Sequence, residues 1–416
     1  MRTLAPNSLI LTFSNILNAA AGFALSLVVG RGLGESGFGV WVFCLTWASI
    51  LTMVCEFGLN SLLTREAARM PGRLNQLLII SLAIKLVPVL ILAGGVWLCS
   101  PIIALNRESI AALRVSMLIV FAVVSYGSFT AVFRSAGWMS PILWLNLSGG
   151  IIQLVWSAWI LWSGGSILAL IWAAFAVDIG QLFAATLLWQ NRLRPTGGPL
   201  QFTRADLTQM AMDTLPFAVS AFLGAVEARS NVLLLGYLSG ATEVGRFGMA
   251  SRFFEAARLL PNGMYDAAFP AFAGQLAEGK NPREMFRRIS KVILLYTLLV
   301  TVTLIGFSRQ IIDWTYGPLF LSSVPTLSWL GVALLPTLHN AVMEVYLFAT
   351  GDERYATKLG LIGLTVQIVA GIPLMHFFGA LGAAFGVLIG ELAIWLPLRV
   401  RLGRLLPPMP ENHNAV

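Results

Sequence analysis

Twelve long apolar runs separated by short polar connections dominate the pattern of hydrophobic and polar positions along the chain. Each run has roughly 20 residues, the length that an α-helix needs to cross about 30 Å of hydrocarbon. They lie at 9–29, 39–57, 77–99, 115–133, 142–162, 167–189, 215–238, 245–272, 291–307, 324–349, 359–378 and 380–400. The pattern predicts an all-α integral membrane protein with about twelve transmembrane helices.

The connections between the runs are too short to hold a separate soluble domain. The longest, at about 190–214, contains the segment NRLRPTGGPLQFTRAD, whose arginine, proline and glycine content is typical of a polar linker. Six runs precede this connection and six follow it. We therefore predict two six-helix lobes, an N-terminal one at 1–200 and a C-terminal one at 201–416.

One glycine-containing phrase occurs twice, 206 positions apart: LVVGRGLGESGFGVW at 27–41 and LLLGYLSGATEVGRF at 233–247. The coinciding glycines are Gly30 and Gly236, Gly34 and Gly240, and Gly39 and Gly245. Six runs separate the copies, and an even number of crossings returns the chain to the same face in the same direction. The phrase predicts a parallel repeat about an axis along the membrane normal, with glycines that allow tight turns and close backbone approach.

The runs at the two copies carry matching stripes of polar residues. At about 100° per residue, each stripe occupies one side of its helix. The second run has Thr46, Ser49, Thr52, Glu56 and Asn60; the eighth has Arg252, Glu255, Arg258, Asn262 and Asp266; the first has Thr12, Asn15, Asn18, Gly22 and Ser26. Because a charge facing lipid is costly, the stripes predict a polar cleft between the halves. Pro261 is expected to interrupt the eighth helix within its stripe.

The distribution of basic residues predicts the orientation. With the N-terminus in the cytoplasm, eighteen Lys and Arg residues fall on the cytoplasmic side. Five fall on the other side, namely Arg31, Arg107, Arg114, Arg246 and Arg309. This is the bias of the positive-inside rule, and it predicts that both termini are cytoplasmic. The net charge of +8 is then mostly a matter of topology, and no nucleic-acid partner is predicted.

Composition adds no sign of a cofactor. The chain is 57% hydrophobic and 11% charged, and its three cysteines lie within or at the ends of predicted spans. An odd number of buried thiols suggests neither a disulfide framework nor a metal site. The segment GQLAEGK at 274–280 lacks the Ser or Thr and the preceding strand of a phosphate-binding loop. We predict no cofactor and no metal.

Two segments, LGESGFGVW at 33–41 and EFGLNSLLTREAAR at 56–69, resemble the opening of the Wzx-type O-antigen and polysaccharide flippases. This family belongs to the superfamily of multidrug, oligosaccharidyl-lipid and polysaccharide exporters. The resemblance is strongest over about 9–75 and weaker over 215–275. It implies two six-helix lobes around a central cavity and a non-enzymatic function.

The resemblance also implies a substrate and a setting. An undecaprenyl-diphosphate-linked oligosaccharide, which is an O-antigen or exopolysaccharide repeat unit, would move from the cytoplasmic to the periplasmic leaflet of a bacterial inner membrane, for lipopolysaccharide or exopolysaccharide synthesis. The expected partners are this lipid-linked oligosaccharide, membrane lipids and the polysaccharide polymerase machinery. Alternating access of the cavity is the expected mechanism.

Candidate site residues follow from the stripes and from the intramembrane charges. Arginine suits a diphosphate because its planar fork makes charge-assisted bonds to phosphate oxygens, and Asn, Ser and Thr can bind sugar hydroxyls. The substrate-binding candidates are Arg252, Glu255, Arg258, Arg229, Lys85, Asn15, Asn18, Thr46, Ser49 and Glu56. The ion-coupling candidates are Asp178, Glu227 and Glu391. An ion-pair ladder from Arg252 through Glu255 to Arg258 is the structural alternative to binding.

Three other functions fit parts of the pattern. A multidrug extruder of the same superfamily would share the architecture, although two cavity arginines disfavour a cationic drug. A major-facilitator carrier is disfavoured because LTREAARMPGR, after the second run, lacks that family's usual loop motif. A membrane O-antigen polymerase or ligase would need a larger outer loop than those at about 100–114 and 308–323.

Overall fold

The structure is a computed structural model that describes residues 4–194 and 229–406, together with residues 198, 203, 208, 210, 212 and 226. Side chains are described from Leu17 onward, with Glu108 excepted. Within these residues the regular structure is entirely helical. Twelve α-helices are numbered here: α1 Leu4–Glu56, α2 Leu59–Arg69, α3 Leu74–Ile103, α4 Arg107–Ser135, α5 Ser140–Trp162, α6 Ile167–Leu188, α7 Ala241–Ala277, α8 Arg283–Gly306, α9 Ser308–Thr315, α10 Val324–Ala349, α11 Glu353–Phe378 and α12 Ala380–Leu405.

The helices agree closely with the apolar runs of the sequence. Nine helical stretches of the described chain are long and apolar enough to cross a membrane, and the first of them, Leu17–Arg69, covers two predicted spans. The eighth predicted span is α7, which is 37 residues long but less apolar because of its charged stripe. Only the end of the seventh, residues 229–238, lies in a continuously described helix. The predicted all-α membrane fold is confirmed.

Two helices meet within α1 at Gly34, whose φ of 67° and ψ of −175° are not helical, which agrees with the turn predicted between the first two spans. One feature of the helices differs from the sequence-based expectation. Pro261 does not interrupt α7, which continues through both Pro261 and Pro270. A helix break lies instead between α1 and α2, where Phe57 has φ 24° and Gly58 has φ 71°. Glycine tolerates such a backbone, whereas phenylalanine rarely adopts it.

The chain forms two compact units, Met1–Gly245 and Arg246–Val416. In the first unit, α4 packs against α1, α2, α3 and α6; in the second, α10 packs against α8 and α12, and α11 packs against α12. The unit boundary lies within α7, further along the chain than the predicted lobe boundary at 200/201. Residues around 200 are described only at isolated positions, so that boundary stays a prediction.

A buried asparagine attaches the segment after α6 to the start of α3. The side-chain amide of Asn75 donates hydrogen bonds to the carbonyl oxygens of Arg194 and Gly198, each at 2.8 Å. Its Oδ1 accepts a hydrogen bond from Nε1 of Trp189 at 3.1 Å. Gly198 has φ 79°, and a side chain there would overlap the carbonyl of Gly72. One side chain therefore fixes the path by which the chain leaves the first six helices.

We expect Asn75→Ala to lower the free energy of unfolding of the detergent-solubilised protein by about 1–3 kcal/mol, because it leaves buried polar groups without partners. SDS-induced unfolding in mixed micelles measures this change. Asn191→Ala, at an exposed position in the same region, is the matched control and should be nearly neutral. Equal effects of the two substitutions would contradict the anchoring role of Asn75.

Candidate functional site

Helix α7 has an apolar face that is buried and a charged face that is exposed. The buried positions recur at helical spacing: Phe254, Ala257, Pro261, Tyr265, Ala268 and Phe272. The polar stripe lies between them on the other face, where Arg252 is half-buried and Glu255, Arg258, Asn262 and Asp266 are exposed. The stripe predicted from the sequence is thus a real face of the helix.

The buried face of α7 is held by two tyrosine hydroxyl groups. Tyr265 of α7 donates a hydrogen bond to the carbonyl of Leu338 in α10 at 2.8 Å. Tyr296 of α8 donates one to the carbonyl of Ala257 at 2.8 Å. Further along, Phe272 makes an edge-to-face contact with Tyr346, with ring centroids 5.4 Å apart. These contacts join α7 to α8 and α10 through its apolar face. They therefore fix which side of α7 is buried and leave its charged side exposed.

The two arginines of the stripe have different surroundings. Nη1 of Arg252 lies 3.3 Å from Oε2 of Glu255, so the first rung of the predicted ladder is formed. The guanidinium of Arg258 lies 5.7 Å from the ring centroid of Phe254. None of the ion pairs formed by the described residues includes Arg258. Arg258 is therefore the exposed cation of the pair that is available to an anion.

In the first unit, a buried lysine forms the centre of a polar cluster. Lys85 of α3 is 2% exposed, and its Nζ donates hydrogen bonds to Oδ1 of Asn60 at 2.6 Å, Oγ of Ser128 at 2.8 Å and the carbonyl of Val124 at 3.2 Å. Ser81 lies 3.0 Å from the same Ser128 hydroxyl. An ammonium group has three donors, and in this conformation all three have acceptors within the protein.

The carboxylate of Glu56 completes this cluster. The Glu56 side chain is hydrogen-bonded to Asn60 and interacts electrostatically with Lys85 and Arg134. Gly127 of α4 makes room for it, since a Cβ atom there would overlap Oε1 of Glu56 and would lie 2.8 Å from Nδ2 of Asn60. Glu56 is also the last residue of α1, next to the strained backbone of Phe57. Backbone strain of this kind is often found at functional sites.

The other predicted residues are distributed over both units. Thr46 is buried and Ser49 half-buried on α1, and Ser49 Oγ has no hydrogen-bond partner among the described residues. Asn18, Asp178 and Arg229 are half-buried in the first unit. Glu391 of the second unit accepts a hydrogen bond from Nδ2 of Asn340 at 2.8 Å. The side chain of Asn15 and the whole of Glu227 lie outside the described residues.

The structure thus brings together Glu56 with Lys85, and Arg252 with Glu255, among the predicted site residues. Sequence analysis missed the residues that complete the cluster of Glu56 and Lys85, namely Ser81, Gly127, Ser128 and the site role of Asn60, and it missed Asn340, the partner of Glu391. Ser128 and Asn340 are uncharged polar residues within apolar runs. Such a residue is a weak signal alone, because only the fold shows that it faces a charged residue on another helix.

Comparisons with known proteins match this architecture. The family model described as "Polysaccharide biosynthesis protein" matches residues 4–275, and the model described as "Lipid II flippase MurJ" matches residues 253–411. A candidate O-antigen transporter of Shigella dysenteriae is 21% identical over 359 residues, which cover 83% of this chain and 87% of that protein.

Two solved structures are similar over nearly the whole chain. An inward-facing multidrug resistance MATE family transporter of the MOP superfamily has a TM-score of 0.78 at 16% identity, covering 93% of this chain and 95% of its own. The lipid II flippase MurJ in an inward closed conformation has a TM-score of 0.74 at 15% identity, covering 97% and 91%. These likenesses show the fold, and the first family model covers well over half of the sequence. The chain belongs to the polysaccharide biosynthesis protein family and has the fold of the MOP superfamily of transporters and flippases.

Proposed function

We propose that the protein is a flippase that moves an undecaprenyl-diphosphate-linked oligosaccharide from the cytoplasmic to the periplasmic leaflet of a bacterial inner membrane. The observation that carries the proposal is the exposed charged face of α7. Hydrocarbon disfavours such a face in the middle of a membrane helix, whereas a water-filled path for a polar headgroup requires one. The family and the MurJ and O-antigen transporter likenesses support this class of substrate.

Arg258 and Arg252 would hold the diphosphate. Arg258 is exposed and has no carboxylate partner among the described ion pairs, so it can accept an anion without breaking an existing pair. Arg252 would have to exchange Glu255 for phosphate, which makes Glu255 the counter-ion of the empty state. Guanidinium groups bind phosphate oxygens through charge-assisted, often bidentate, hydrogen bonds.

The stripe of α1, which has no basic residue, would contact the sugar. Thr46 and Ser49 occupy the positions that correspond by the repeat to Arg252 and Glu255. The Ser49 hydroxyl, which has no hydrogen-bond partner within the described residues, can donate to or accept from a sugar hydroxyl. Substrate roles for Asn15, Asn18 and Arg229, and ion-coupling roles for Asp178, Glu227 and Glu391, stay predictions.

A multidrug extruder is the second candidate. The stripe on α7 holds two acidic residues, Glu255 and Asp266, beside its two arginines, and exposed carboxylates can attract a cationic drug. The MATE structure matches the fold as well as the MurJ structure does. The pairing of Glu255 with Arg252 favours the anionic substrate, because among the described residues Arg258 then has no ion-pair partner.

A leaflet assay separates the two candidates. The purified protein is reconstituted in liposomes with a polyprenyl-diphosphate oligosaccharide, and an impermeant sugar-modifying enzyme reports its exposure, with and without a proton gradient. We expect exposure above that in protein-free vesicles, with the glycolipid chemically intact. Movement of a cationic dye without movement of the glycolipid would establish the extruder instead, and an elongated glycolipid would establish a polymerase.

In that assay, Arg258→Ala should lower the flipping rate by about 10- to 150-fold, the factor that corresponds to losing a charge-assisted hydrogen bond of about 1.5–3 kcal/mol. Arg252→Ala should have a smaller effect, because Arg252 already has a partner. Arg288→Ala, which removes an exposed arginine paired with Glu284 outside the site, is the control. Normal flipping by correctly inserted Arg258→Ala protein would remove Arg258 from the site.

Glu56 and Lys85 should behave as a coupled pair in a double-mutant cycle of Glu56→Gln and Lys85→Met. We expect the two effects on the free energy of unfolding to be non-additive by about 0.5–3 kcal/mol, since each residue compensates the charge of the other. SDS-induced unfolding measures the four proteins. Glu66→Gln and Arg69→Met, at an exposed pair 3.4 Å apart on α2, form the control cycle, which should be closer to additive. Additive effects at Glu56 and Lys85 would show that the cluster is not an electrostatic unit.

A further inference from the structure

The two copies of the repeated phrase pack against each other through their backbones. A Cβ atom on Gly39 would overlap the carbonyl of Ala241, and a Cβ atom on Gly245 would overlap the carbonyl of Glu35. The offset of 206 converts Gly39 to Gly245 and Glu35 to Ala241, so the two contacts are the same contact seen from each side. A contact that is unchanged when its partners are exchanged is the signature of a local two-fold axis.

The same offset relates the backbone turns that lead into this crossing. Gly34 has φ 67° and Gly240 has φ 87°, and each lies five residues before its crossing glycine. Positive φ values of this size are readily available to glycine alone. The left-handed residue therefore lets a new helical segment start at each copy, and the crossing glycine follows after just over one turn.

At the crossing, backbone atoms of the two segments lie close together, and apolar side chains surround them. Phe38 and Val244, next to the crossing glycines in sequence, are both 0% exposed. Beside them, a Cβ atom on Gly236 would lie 2.8 Å from the ring of Phe43, and the Phe43 and Tyr237 rings meet edge to face at 5.5 Å. There is no room at the crossing for a methyl group, and still less for a chain of water molecules.

We propose that this glycine crossing is the outer seal of the transport path: the two segments are held backbone to backbone while the path is closed to the far side, and separate when it opens. The inference rests on the proposed function. The distribution of basic residues assigns the phrase to the non-cytoplasmic side. The carbonyls of Glu35 and Ala241 lie within helices, so moving the two glycines away from them breaks no helix hydrogen bond.

Glycine suits a seal that must open repeatedly. Interlocked side chains would have to withdraw from one another, whereas two glycine surfaces separate without a change of rotamer. The close approach also makes the seal sensitive to a single added methyl group, because the obstacle on each side is a backbone carbonyl that cannot move aside. The structure therefore assigns a gating role to Gly39 and Gly245, which bear no functional group.

Thiol labelling tests the seal without a sugar substrate. In a background with Cys44, Cys55 and Cys99 replaced by alanine, Val244→Cys is labelled from outside with a membrane-impermeant maleimide. It should react far more slowly than Arg107→Cys, an exposed outer position. Adding Gly39→Ala or Gly245→Ala should raise its labelling rate by about 5- to 150-fold, the factor for an overpacking cost of about 1–3 kcal/mol in the closed state.

Three further glycines provide graded controls. Gly236→Ala meets a phenylalanine ring, which can shift, and should give a smaller increase in the labelling rate. Gly95→Ala and Gly263→Ala meet nothing within 4 Å and should give no increase.

The seal is refuted if Val244→Cys reacts as fast as Arg107→Cys while Gly39 and Gly245 are both intact. This comparison of labelling rates does not require any glycine variant to fold. The seal is also refuted if Gly39→Ala and Gly245→Ala lower thermal stability without changing the labelling, as static packing would. If the unmodified protein fails the leaflet assay while the labelling follows this order, the proposed substrate is wrong and the seal stands.

Discussion

The high cost of placing charge in hydrocarbon is the constraint on which this structure depends. It explains why the membrane-spanning helices consist of apolar runs and why the polar residues within them are concentrated in stripes and clusters. Lys85 shows one solution, in which a single ammonium group is fully buried and supplied with three acceptors. Helix α7 shows another, in which a charged face is left exposed and only the apolar face is packed.

These two solutions suggest different roles for the charges. The lysine cluster of the first unit satisfies its own members, so a substrate would gain little from Lys85 unless the cluster rearranged. The charges on the face of α7 are not all satisfied in this way, because Arg258 is exposed and no ion pair of the described residues includes it, whereas Arg252 pairs with Glu255. Sequence analysis placed both the lysine cluster and the charges of α7 among the binding candidates. The surroundings of each charge in the structure distinguish the two groups.

Much of the fold could be predicted because hydropathy and the 206-residue repeat are local or periodic signals. The spans, the stripe on α7 and the close approach of the repeated glycines follow from them, and the structure agrees for the residues it describes. The continuity of α7 through Pro261 could not be predicted, since it depends on packing by Tyr265 and Tyr296 on either side. The approach of Lys85 to Glu56 is likewise a contact between separate helices, and neither residue carries a sequence signal for the other.

The internal repeat has one more consequence. In a symmetric dimer of identical chains, every residue on one side of the two-fold axis must recur on the other. Here both copies belong to one chain, so equivalent positions have diverged: the offset that carries Gly39 to Gly245 also carries Thr46 to Arg252, Ser49 to Glu255 and Thr52 to Arg258. The two copies share the glycine geometry, which depends on the local symmetry, whereas the residues of their stripes differ. A single polypeptide can thus carry two arginines in one stripe and no basic residue in the other, which suits a molecule with a diphosphate at one end and a sugar at the other.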